Sequence, residues 1–407
     1  MRQYLPLILL LALFLPTSSV IGGFQIWYVL LVSLSLLLIL LKPRGFSISS
    51  TGKATLFFCV LNIVLLSISF VVSIELIVLR ELNDVIRLFG NLCIYIVVLM
   101  NYSDRNHRDI FLKIAKIFII VQLVVCVIQM NPAVQNALSY IWDMDRLWHF
   151  RRIGTFNNPN TLSITTMIIF SFIYFIEKSK RKVIFYFLLT FGIILLSGSR
   201  TGLVLLFVLT FVNYCINNGI SLKTIAYVGF LGFLLIFLFV FLLNQHGDSF
   251  AYLAQTMRMF DAGTVDLEAD SAFAARLVIW QGALDFRQEF TVFQKLFGVG
   301  PAKETIPYFD NDFLSIYVRN GIIGSIVFIS YLLYLLIALI KNIRLAYSKL
   351  MISVIFIFLV SAVTGATFTS WYLSLFFFFF LGCFEREKVE YKNIAITNKQ
   401  LYATSQS

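Results

Sequence analysis

"LLSGSRTGLVLL", residues 195–206, decides the fold. Two apolar runs meet here across a few polar residues. Each run approaches bilayer length, which takes roughly 17–25 residues as a helix. The stretch therefore reads as a tight hairpin between two membrane helices, with Arg200 at the centre of its turn.

Composition extends that reading to the whole chain. Of its 407 residues, 59% are hydrophobic and only 13% charged, against about 25% charged in soluble domains. Mean hydropathy is +0.88, and the 43 phenylalanines suit lipid-facing helices. The fold class is an all-α integral membrane protein. Cys59, Cys93, Cys126, Cys215 and Cys383 all fall in apolar runs, with no C-x-x-C pair and no neighbouring histidine, so they read as small buried hydrophobes. The first apolar run ends in "PTSSV" like a cleavage region, but only Arg2 precedes it and another span follows at once. It reads as a retained helix.

About twelve spans are expected, near 4–21, 24–41, 55–79, 84–101, 110–130, 161–177, 182–197, 201–217, 222–244, 321–340, 349–365 and 368–384. The hairpins at 80–83 and 198–200 are the tightest. With the amino terminus inside, alternate connections and the carboxyl-terminal tail hold 20 of the 32 Lys and Arg residues. Both termini are then cytoplasmic. The net charge of +11 is a topology signal and a contact for anionic membrane lipid. No basic patch with interleaved aromatics points to nucleic acid. The chain divides into amino-terminal membrane helices (1–130), a core with outer loops 131–160 and 245–320 (131–344), carboxyl-terminal helices (345–384) and a polar, disordered cytoplasmic tail (385–407).

Polar residues cluster in the outer segments. In "RRIGTFNNPNTLS" (151–163), Asn158 is a good N-cap and Pro159 fits the first helical position. Capping alone leaves Arg151, Arg152, Asn157 and Asn160 unexplained, while a helix N-terminus with cations favours an anion. Arg200, in an outer turn, opposes the usual charge bias. It reads either as a snorkelling side chain or as a two-pronged phosphate ligand. In "DSAFAARLVIWQGALDF" (270–286), Arg276, Ile279, Trp280 and Ala283 recur at helical spacing, which predicts a short surface helix. "LFGVGPAKE" supplies a turn at Gly298 and Gly300. Arg287 stands eleven residues before Gly298, a spacing common enough by chance to carry almost no weight. In "YFDNDFLSIYVRNGIIG" (308–324), Asp310 and Asp312 precede a helix whose dipole favours carboxylates. Asp310 alternatively reads as a general base for a sugar hydroxyl, with Arg319 as its nearest counter-charge.

Taken in order, "GTFNNPN", "SGSRTG", "RLVIWQGAL", "FGVG" and "DNDFLSIYVRNGIIG" resemble the O-antigen polymerase and O-antigen ligase superfamily over roughly residues 150–330. The resemblance implies a GT-C-like membrane glycosyltransferase with one large extracytoplasmic loop. Its donor would be an undecaprenyl pyrophosphate-linked oligosaccharide at the outer face of the bacterial inner membrane, and no metal or cofactor would be needed. By motif position, Arg200 and Arg276 would hold the pyrophosphate and Asp310 would be the base. Arg152, Asn157, Asn160, Trp280, Asn311 and Arg319 form the remaining candidate substrate-binding set. A chain-length regulator is a further implied partner that leaves no readable mark. The ligase branch carries a histidine before asparagine where this chain reads Asp310-Asn311, which favours polymerisation of surface-polysaccharide repeat units over ligation to another acceptor. A lipid-linked oligosaccharide flippase would instead place charges at mid-membrane depth, where Glu75 is the main candidate.

Overall fold

The structure is a computed structural model. It describes residues 4–14, 20–21, 24–41, 47–76, 83–134, 151–156, 158–219, 271–300, 311–363, 365 and 367–405. The expected span 222–244, the hairpin at 80–83 and parts of both outer loops lie outside the described residues.

The described chain is helical apart from a two-residue antiparallel ladder, β1 (Val20–Ile21) with β2 (Phe24–Gln25). Helices α1 (Tyr4–Phe14), α2 (Ile26–Leu41), α3 (Ser50–Val72), α4 (Asn83–Asn101) and α5 (Asp104–Ile128) come first. Then follow α6 (Pro159–Ile176), α7 (Lys180–Ser197), α8 (Arg200–Asn218), α9 (Ser271–Gln288) and the short α10 (Val292–Phe297). Helices α11 (Asp312–Lys341), α12 (Ala346–Ser361) and α13 (Trp371–Ser405) complete the order. Every other expected span carries a helix. Six are long and apolar enough to cross a membrane, those of α3, α4, α5, α6, α8 and α11, while α1, α2 and α12 are shorter apolar helices.

Helix starts follow local chemistry. Asn158 accepts from the Asn160 N–H and Pro159 opens α6, as the sequence indicates. Ser199 caps α8, Thr291 and Gln294 form a reciprocal capping box on α10, and Asn311 caps α11. Helix α6 is the most enclosed of the six long spans and packs on α5, α7, α8 and α12. The run Phe376–Phe380 of α13 is buried against the bundle, with Phe376, Phe379 and Phe380 fully covered. Leu40, Phe57, Val64, Ile184, Val204 and Ile326 face outward, as lipid-facing positions should in a bilayer.

Two expectations need correction. The tail is not disordered, because α13 continues to Ser405. Glu385 accepts from the Ser49 N–H and hydroxyl, and Glu387 accepts from the Ala346 and Tyr347 N–H groups. The early tail residues are thus tied to the starts of α3 and α12. Glu75, expected within a span, lies beyond α3 in an exposed 3-10 turn, because the helix stops at Val72 with Ser73 as its C-cap.

Candidate functional site

One end of the bundle gathers the C-termini of α3, α5 and α7 with the N-termini of α4, α6, α8, α11 and α13. Direct contacts establish this. Gln129, at the end of α5, accepts from the Ile153 and Gly154 N–H groups and donates to Gly154 O, while Gln122 accepts from Thr155 N–H. Residues 153–155 are thereby fixed over α5 before α6 begins.

From that segment Arg151 reaches across to the hairpin of α7 and α8. Its Nε donates to Ser197 O at 3.0 Å and its Nη2 to Asn160 Oδ1 at 3.1 Å. Ser199 also donates to Asn160 Oδ1, at 2.9 Å, while its hydroxyl accepts from the Gly202 N–H. Ser163 and Ser197 hydroxyls pair at 2.8 Å. Two glycines permit this approach. Gly198 is the left-handed C-cap of α7, with φ 60°. At Gly202 a Cβ would sit 2.9 Å from the Ser163 Cβ, so glycine lets α6 and α8 start side by side. The N-termini of α6 and α8 thus converge, with neutral Asn and Ser caps and arginines beside them. Two aligned helix starts and fixed guanidinium groups suit a phosphate-like anion.

Of the candidate residues, Arg200 and Asn160 lie in this cluster, and Arg152 adjoins it through its backbone, whose N–H donates to Leu196 O at 3.1 Å. Partial burial lowers the Arg152 guanidinium below its ordinary pKa. Arg151, grouped with these residues by sequence but not chosen as a ligand, is buried and holds the cluster together. Asp310 and Asn157 lie outside the described residues.

A second group forms on α11, which is broken. Gly321 has φ 66° and ψ −169°, non-helical values that separate residues 312–320 from the longer remainder. The break frees carbonyls, and the turn around Gly298 satisfies two of them: Val299 N–H donates to Val318 O at 3.3 Å and Gly300 N–H to Arg319 O at 2.9 Å. A Cβ on Gly298 would come within 2.1 Å of Arg319 O, and one on Gly321 within 2.4 Å of Gly298 N. "FGVG" and "RNG" are therefore two halves of one backbone junction.

Arg276 and Trp280 sit on α9, as the helical spacing indicated. That helix reaches the junction through Ala283, which is buried with Phe290, Val299 and Val318. Arg287 lies 3.7 Å over the Tyr317 ring, a cation–π contact that gives this residue a structural place its spacing did not. Arg319 is at the break in α11. Asn311 caps α11 by accepting from the Leu314 N–H at 3.0 Å.

Asp312 corrects a simpler view. Its carboxylate is buried and turned to the loop before α13, accepting from the Thr367, Phe368 and Thr369 N–H groups and the Thr369 hydroxyl. Its task is holding that loop rather than complementing its own helix dipole. The loop in turn receives Arg87, whose Nη1 donates to Thr369 O. Sequence offered only the position of Arg87 near a helix end. No cluster of metal-ligating side chains occurs among the described residues.

The fold and this polar end define a multi-pass helical integral membrane protein. Residues 185–329, somewhat over a third of the chain, match the family model for O-antigen ligase. The match supports the O-antigen polymerase and ligase superfamily, whose members transfer glycans. It contains the 198–202 turn, α9, the Gly298 turn and the break at Gly321, while "GTFNNPN" lies outside it. No curated protein matches the chain.

Proposed function

We propose that this protein polymerises undecaprenyl pyrophosphate-linked oligosaccharide repeat units into a surface polysaccharide. The observation that carries the reading is the convergence of the α6 and α8 N-termini, where Arg151 and Ser199 meet on Asn160 and Arg200 opens α8, a place suited to an anion. In this reading the polar end faces the extracytoplasmic side of the inner membrane. The chain spans the bilayer about twelve times with both termini inside, in a GT-C-like arrangement.

The chemistry is a displacement at the anomeric carbon. An acceptor hydroxyl forms the new C–O bond as Asp310 takes its proton. The bond to pyrophosphate breaks, and the leaving group carries away the electron pair. Arg200 and Arg276 neutralise the charge that grows on it, the part a metal plays for less activated donors. Arg152, Asn157, Trp280 and Asn311 shape the surrounding sugar subsites.

Purified protein in liposomes, given its lipid-linked repeat unit, is expected to make a ladder of products, and Arg200→Ala none. Asp310→Asn is expected to be inactive, and full activity in that variant removes the aspartate from the base role. Strong inhibition by chelators would overturn the metal-free scheme. The match to the O-antigen ligase family favours one second reading, ligation to a non-repeat acceptor such as lipid A-core. A single addition onto that acceptor, with no ladder, selects it.

A further inference from the structure

The arginine cluster leaves a separate feature of the same end unused. A cleft opens between α3, α4 and α11, closed on one side by the loop before α13. Its mouth is polar, lined by Asn62, Asp84, Arg87, Ser315, Arg319 and Asn320. Its depth is apolar and aromatic, lined by Phe58, Phe328, Tyr331, Phe358, Phe368 and Phe377. The two compartments share Asn62, Arg87, Leu88, Ile316, Asn320 and Thr369, so they are one amphipathic space.

Arg87 is the informative side chain. It is 91% buried, its relative exposure being 9%. Nη1 is committed to Thr369 O, and Nη2 stands 3.8 Å from Asp84 Oδ1. Its Nε is buried without a hydrogen-bond partner. A buried donor left in this state costs free energy unless something accepts from it. The floor repeats the theme in apolar terms: Phe58 and Tyr331 stack with ring centroids 3.9 Å apart, and the Tyr331 hydroxyl is taken up by Thr55 at 3.1 Å. The floor therefore presents ring surface to the space.

We propose that this cleft is a second lipid-phosphate site, distinct from the Arg151–Arg200 cluster, in which Arg87 and Arg319 receive the phosphate head and the aromatic floor receives the first isoprene units. A guanidinium pair suits a phosphate, while the aromatic depth suits a hydrocarbon chain and not a free inorganic anion. Assigning the occupant as the acceptor's lipid carrier rests on the polymerase reading, because polymerisation brings two lipid-linked glycans to one enzyme. Arg319 lies on the segment of α11 before its break, which joins the cleft to the Gly298 junction. The loop held by Asp312 forms the cleft wall through Thr369, so Asp312 positions the site without touching the ligand.

The test is photolabelling of the full-length protein in phosphatidylcholine nanodiscs with undecaprenyl pyrophosphate carrying a benzophenone in its first isoprene units. Label is expected on peptides of α3, α4 and α11. It should fall about tenfold in Arg87→Gln, as expected for loss of a buried charged ligand, and equally in Leu88→Trp, which fills the space without touching the arginine. Arg200→Ala should leave it within about twofold, since Arg200 does not line the cleft. Absence of cleft label in the wild type overturns the proposal, as does its loss in Arg200→Ala, which would mean one shared site. Competition by phosphatidylglycerol at equal concentration assigns the cleft to bilayer phospholipid and overturns the carrier assignment. Competition by inorganic pyrophosphate alone overturns the role of the aromatic floor. Cleft labelling in a protein that forms no polymer retains the site and removes the polymerase reading, so the two failures are separable.

Discussion

At the end of the bundle where α3 and α12 begin, the chain closes its own helix starts with carboxylates. Glu385 accepts from Ser49, Glu387 from the first two N–H groups of α12, and Glu177 receives Lys116 together with the Ser179 N–H. At the opposite end the α6, α8 and α11 caps are Asn158, Ser199 and Asn311, all neutral, and Arg151, Arg152 and Arg200 lie beside the first two. The same positive helix termini are present in both places. One end satisfies them internally. The other closes them with neutral caps and no carboxylate on the α6 and α8 starts, an arrangement that an external anion would complete.

The largest expected effect tests that contrast directly. Arg200→Ala should lower glycan transfer by about 10²–10³-fold or more, the usual loss when a fixed charge-stabilising donor is removed, while membrane accumulation stays normal. Arg200→Lys should recover only part of the rate, since a point charge replaces a two-pronged donor. Near-normal rates of transfer in Arg200→Ala would reduce the cluster to a structural cap.

Next in size is the backbone junction. Gly298→Val places a Cβ against Arg319 O at a φ of 80°, and should destabilise the protein by about 2 kcal/mol or more. Gly282 offers the control: a Cβ there meets nothing within 4 Å, and Gly282→Ala in mid-helix should be neutral or stabilising by up to about 1 kcal/mol. Thermal unfolding in detergent separates the two. Equal behaviour would mean that the turn is not anchored on the break in α11. At the self-satisfied end, Glu387→Ala should cost about 1–2 kcal/mol by exposing the first N–H groups of α12, and catalytic constants of the folded enzyme should not change.

The sequence carries some of this contrast and hides the rest for definable reasons. Apolar length and the Asn158-Pro159 cap are local signals, so helix positions and the α6 start are readable directly. "FGVG" is visible as a turn signal, but its junction with the break at Gly321 depends on carbonyls nineteen residues away in sequence. Asp312 shows the same limit: a carboxylate at a helix start reads as a dipole partner, and only the three-dimensional path of residues 367–369 reveals its acceptor role. The tail misleads because charge-rich composition suggests solvation, whereas Glu385 and Glu387 are spaced to meet two helix starts. The Arg87 cleft unites residues from α3, α4, α11, α12, α13 and the loop before α13, and no periodicity reports such an assembly.

The smallest effect concerns pH and belongs to the self-satisfied end. Burial favours the neutral form of Glu177, but the Lys116 ammonium and the Ser179 N–H outweigh it and hold the carboxyl below its ordinary value of 4.5. A folded-state value below the unfolded one means that the unfolded chain binds the proton more readily. The contribution is therefore complete above about 4.5, and declines as pH falls through the lower folded value. Since the pair lies at the bundle's edge, its size should be less than about 1 kcal/mol. Unfolding measured between pH 7 and 3 should show a shallower decline in Glu177→Gln than in wild type. An unchanged slope would mean that Lys116 and Glu177 are no more strongly coupled than solvated charges, and the self-satisfied end would then rest on its two capping glutamates alone.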